Sequence, residues 1–154
     1  MSISKGQYRH LVTLGADVAS TASTAFQDIT GLSFAVANAI KYRWQATIIY
    51  TTSVASIGLR VSHTGPATTL NAYMTQTGIT VSGSLTLVNW TNAASATDTG
   101  TTSTASLNTT AGNLITAWGF ILPSAAGTFQ LRFAPETATA SGIIIKAGST
   151  LEWW

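Results

Sequence analysis

The chain has 154 residues, enough for one domain with a real core, and carries no cysteine, so disulfides, thiolate chemistry and Cys-based zinc sites are excluded. Charged residues make up only 8% of it, against roughly 25% in an ordinary soluble domain. The net charge of +2 is spread over Lys5, Arg9, Lys41, Arg43, Arg60, Arg132 and Lys146 with no run of basic residues, so the sequence carries no nucleic-acid footprint.

In chain order, residues 1–24 read as an N-terminal arm and residues 25–154 as the folded domain. The arm has small side chains, as in residues 15–25 (GADVASTASTA), and lacks the apolar stretch of a signal peptide. No apolar run approaches a membrane span, so the chain is expected to be soluble and made in the cytoplasm. The arm is expected to lie along a neighbouring molecule as an added strand, and its removal to leave the domain folded. Phe34–Ile40 is the best helical candidate, yet it is short and lies between two strands.

From Tyr42 a period of two dominates. Tyr42, Trp44, Ala46, Ile48 and Tyr50 alternate with Arg43, Gln45 and Thr47. Ile57, Leu59 and Val61 alternate with Gly58, Arg60 and Ser62, and Phe129, Leu131 and Phe133 with Thr128, Gln130 and Arg132. Such alternation marks strands with one face buried. Residues 91–112 are rich in Thr, Ser and Ala, suited to a linker or to a strand on an outer face. Leu114–Leu122 is apolar on both faces, which places it centrally or against another subunit. Ile143–Ile145 begins a last strand that runs to Trp154, bent at Ala147-Gly148.

Turn residues punctuate these runs at His63-Thr64-Gly65-Pro66, Thr77-Gly78, Ser82-Gly83, Ala125-Ala126-Gly127 and Ser141-Gly142. The fold class that follows is all-β: a two-sheet antiparallel jelly-roll sandwich.

Catalytic patterns are missing. His10 and His63 have no partner histidine at ligand spacing, and Asp17, Asp28, Asp98, Glu136 and Glu152 are widely separated. Neither a nucleophile elbow nor a phosphate-binding glycine loop occurs. The chain is therefore read as a non-enzyme with no cofactor and no metal. In Lys41-Tyr42-Arg43-Trp44 the alternation puts the cations on one face and the aromatics on the other, an aromatic core beneath a solvated basic face. Trp153 and Trp154 must face opposite ways on a strand, so both cannot enter one core. With the low charge density, this makes Leu114, Trp118, Phe120, Trp153 and Trp154 candidates for a subunit interface.

The closing residues Gly127–Glu136 (GTFQLRFAPE) and Ile143–Trp154 (IIIKAGSTLEWW) resemble a domain that recurs in structural proteins of tailed bacteriophages. Asp28–Phe34, Tyr42-Arg43, Gly58–Arg60 and Asp98–Thr101 extend the resemblance over roughly residues 24–154. It implies a homotrimeric jelly roll, similar to tumour-necrosis-factor-like domains, located in the virion. A capsid decoration protein bound to the major capsid protein is the first expectation. A tail, collar or fibre-tip module that contacts a host receptor or glycan is the second. Neither implies nucleic acid, a membrane or an active site.

Overall fold

The computed structural model describes residues 8–77, 86–92, 101–102 and 112–154, with side chains outside 69–111. Thr77-Gly78, Ser82-Gly83 and most of the Thr-rich stretch therefore lie wholly or partly outside the described residues. Twelve strands are described: β1 (His10–Thr13), β2 (Val18–Ala19), β3 (Gln27–Val36), β4 (Tyr42–Thr52), β5 (Leu59–Thr64), β6 (Thr68–Thr77), β7 (Thr86–Asn92), β8 (Thr101–Thr102), β9 (Asn113–Pro123), β10 (Gly127–Pro135), β11 (Ile143–Ile145) and β12 (Thr150–Trp153). Among the described residues there is no helix. Phe34–Val36 closes β3, and the segment after it turns into β4.

The larger sheet runs β1-β12-β4-β9-β6-β7, with β11 also on β4 and β2 on β11; the smaller runs β3-β10-β5-β8. Every pairing is antiparallel. Most connections cross from one sheet to the other, so the result is the expected two-sheet jelly-roll sandwich. β9 is central in the larger sheet, between β4 and β6, as its two apolar faces predicted.

The alternation is realised residue by residue. Trp44, Ala46, Ile48 and Tyr50 of β4, Ile115, Ala117 and Ile121 of β9, and Phe129, Leu131 and Phe133 of β10 form the buried layer between the sheets. Stacked rings cross that layer. Trp153 lies 4.6 Å from Phe34, Phe34 lies 4.8 Å from Phe129, and Phe129 lies 4.8 Å from the buried His63. His10 extends the row at its rim, 5.2 Å from Trp153.

One strand breaks the period. In β3 both Ile29 and Leu32 are buried, although their spacing would put them on opposite faces of a regular strand. A bulge resolves this: the register against β10 shifts between Gln130 and Arg132, and Gly31 takes the left-handed φ of +104°. The Gln130 amide fills the gap, its Nε2 donating to the carbonyls of Ile29 (3.0 Å) and Leu32 (3.2 Å). Beside it Arg132 is not merely solvated, since its Nε meets Asp28 Oδ1 at 2.9 Å.

The boundary expected at residue 24 needs correction. β1 pairs with β12 and β2 with β11 in one continuous register, so residues 10–19 form an added strand of this chain's own sheet. Leu14 is buried in the core, and its N–H donates to the Ser149 carbonyl at 2.8 Å. The small side chains of residues 15–17 hid this strand, which backbone pairing holds together with Val12, Leu14 and Val18 against the core. The bend at Ala147-Gly148 is where the arm is tied. Asp17 accepts from the Ala147 N–H (2.8 Å) and pairs with Lys146, while Gly148, at φ +91°, donates to the Leu14 carbonyl.

Removal of residues 1–19 is thus expected to lower stability by at least ~3 kcal/mol, from the loss of Leu14 burial and of edge hydrogen bonds. Urea unfolding of the shortened and full-length chains checks this. A pH effect follows from Asp17, whose pKa is lowered from 3.8 by the hydrogen bonds from Lys146 and Ala147. Its contribution is present above pH 3.8 and is lost as pH falls through the lowered value. Asp17→Asn should therefore flatten the fall in urea midpoint as pH drops below 3.8.

Candidate functional site

Register fixes what the larger sheet shows to the outside. In the β4–β9 pair, Arg43 stands opposite Phe120, Gln45 opposite Trp118, Thr47 opposite Thr116 and Ile49 opposite Leu114. Their chain neighbours point into the core, so these eight side chains share the outward face. Glu152 joins the row of Gln45 from the other side. Trp154 joins the row of Arg43, because its N–H donates to the Arg43 carbonyl (3.1 Å) and its carbonyl accepts from the Arg43 N–H (2.9 Å).

The face changes character along the strands. At one end Ile49, Leu114 and Ile144 of β11 are partly or fully exposed and apolar, Leu114 being 41% exposed, with the Lys146–Asp17 ion pair beside Ile49. At the other end, ~20 Å away by strand rise, the surface is aromatic and cationic. There Arg9, Arg43, Gln45, Thr116, Trp118, Phe120 and Trp154 line a groove of about 640 Å³. Trp44 and Gly119, paired across the two strands, complete its lining.

Two cations lie on the rings of this groove. The Arg9 guanidinium is 4.7 Å from the Trp154 ring centre, and the Lys41 ammonium 5.2 Å from that of Phe120. Arg9 also meets Glu152 at 3.3 Å. Among the described residues no carboxylate pairs with Lys41 or Arg43. Elsewhere the cations are engaged: Arg132 with Asp28, Lys146 with Asp17, and Arg60 with the Thr24 carbonyl, 4.9 Å over the Phe26 ring.

The five sequence-predicted residues therefore part company. Trp118, Phe120 and Trp154 come together in the groove. Leu114 shares their face at its far, apolar end. Trp153 turns inward, half-buried between Phe34 and His10. The opposite orientations of Trp153 and Trp154 follow the alternation. Sequence reading placed Lys41 and Arg43 on a solvated basic face, apart from Tyr42 and Trp44, and the strand does separate them. It missed Arg9, Gln45 and Thr116, and it missed that β9 and Trp154 supply new rings beside those cations. Only the pairing of distant strands brings them together.

Both histidines serve packing, on Trp153 and Phe129. Among the described residues no cluster of His, Asp or Glu could hold a metal ion.

No protein-family model matches the sequence, and no curated protein sequence does either. Among solved structures, the chain is similar to the infectious bursal disease virus VP2 subviral particle, with 15% identity and a TM-score of 0.48 over 95% of this chain and 32% of that one. Two further matches are structures of the Gt and Gx strains of the same virus. They have 12% and 10% identity and TM-scores of 0.27 and 0.26, with 95% of this chain covered in both and 41% and 38% of the others. The chain thus spans about a third of the first of these proteins. The fold assignment rests on its own strand order.

Proposed function

We propose that the chain is a structural part of a virion, made in a host bacterium, that works by adhesion and without turnover. In this reading it is a homotrimeric capsid decoration protein attached to the major capsid protein. The observation that carries self-association is the apolar outward patch of Ile49, Leu114 and Ile144 on the larger sheet. A chain with 8% charged residues gains by covering such a patch with copies of itself. The resemblance of Gly127–Glu136 and Ile143–Trp154 to the bacteriophage domain supports the virion setting.

A second reading, a tail, collar or fibre-tip module that contacts a receptor or glycan, is favoured by the cationic aromatic groove. Copies per particle separate the two. A number on a par with the capsid lattice supports decoration, and a number set by one tail or its fibres supports the second.

Light scattering of the purified chain is expected to give a trimer, and a stable 16.0 kDa monomer at micromolar concentration would overturn the assembly claim. Leu114→Glu should shift the trimer toward monomer at least ~10-fold in its association constant, as a charge buried unpaired at an interface does. Its side chain is already exposed, so the monomer should remain folded by circular dichroism.

A further inference from the structure

We infer that the groove between Trp118, Phe120 and Trp154 is a binding site for an acidic saccharide, one whose sugar ring carries a carboxylate. The inference goes beyond assembly and holds for a decoration protein and a tail module alike.

Size comes first. A volume of about 640 Å³ falls within the ~300–1,000 Å³ usual for small-ligand sites and suits one or two sugar rings. The lining supplies what such a ligand needs. A pyranose has an apolar C–H face that packs on an indole, and Trp118 lies at the centre of the groove's strand pair. Gln45, directly opposite Trp118, offers an amide to ring hydroxyls. Arg43 offers a planar fork of N–H donors for a carboxylate, with no carboxylate of the described residues already on it. Lys41 adds a second positive charge over Phe120.

Charge argues against the other occupants. A second copy seated here would bring its own Arg9, Lys41 and Arg43 toward these three, with Glu152 as the local counter-charge, and like charges facing across an interface cost affinity. An extended peptide would lie on a sheet face whose backbone groups are already paired, leaving its own amides without partners. A nucleic-acid strand needs a track of cations along successive phosphates, and here Glu152 interrupts a short one.

Isothermal titration of the full chain with a glucuronate-containing tetrasaccharide tests the site. A neutral glucose tetrasaccharide and a short oligothymidylate serve as comparators, and light scattering is run on the same sample. Saturable binding of the acidic sugar is expected, at least ~10-fold tighter than of the neutral one and weakened by salt. Arg43→Gln and Trp118→Ala should each weaken it by ~10-fold or more while thermal melts stay at the wild-type value. Arg43 is exposed, so that variant keeps the test valid if Trp118→Ala melts early. No saturable binding, equal binding of the neutral sugar, preferential binding of the oligonucleotide, or unchanged binding by Arg43→Gln each overturns the inference. A trimer that binds no sugar overturns the inference alone. A monomer that binds it overturns the assembly claim alone.

Discussion

The nine-residue pairing of β4 with β9 is the constraint on which the rest of this molecule depends. It sets Trp44, Ala46, Ile48 and Tyr50 against the smaller sheet and, by the same alternation, sets Arg43, Gln45, Trp118 and Phe120 against whatever lies outside. A slip of one residue would bury Arg43 and expose Trp44. The core's demand for the aromatic side of β4 therefore fixes the functional face as well.

The closing strand shows a second use of backbone pairing. β11 and β12 both run along β4, but the turn between them, Lys146–Ser149, carries two extra residues. Ser149 holds that irregularity in place, its Oγ accepting from the Ile49 N–H at 3.0 Å and donating to the Lys146 carbonyl at 2.8 Å. On the far side the arm strand crosses the same gap, with Asp17 and Leu14 taking up the Lys146–Ser149 backbone. The sheet edge is thereby completed from within the chain.

Legibility followed burial. β4 and β10 were readable because large apolar side chains alternate with polar ones without interruption. The Gly31 bulge cost β3 that signal, since it places Ile29 and Leu32 on one side at an odd spacing. The arm strand offered a weak signal: Val12, Leu14 and Val18 touch the core, but Gly15, Ala16 and Ala19 between and beside them have little to bury. The groove was half visible: the cations of β4, the rings of β9 and the final tryptophan could each be named. Their juxtaposition depends on the antiparallel register and on the Trp154–Arg43 backbone pair, which no local pattern encodes.

The proposed functions share one outward face, with an apolar end proposed for like subunits and a cationic aromatic end proposed for an acidic ligand. The protein's low charge is consistent with a surface that is largely used. Hydroxyl-radical footprinting of the chain on intact particles and free in solution, diluted until light scattering shows the monomer, tests this most directly. The account expects Leu114 and Ile144 to lose reactivity on the particle while Ile40 and Val54, exposed elsewhere, keep theirs. Unchanged reactivity at Leu114 and Ile144, with protection confined to Ile40 and Val54, would contradict it.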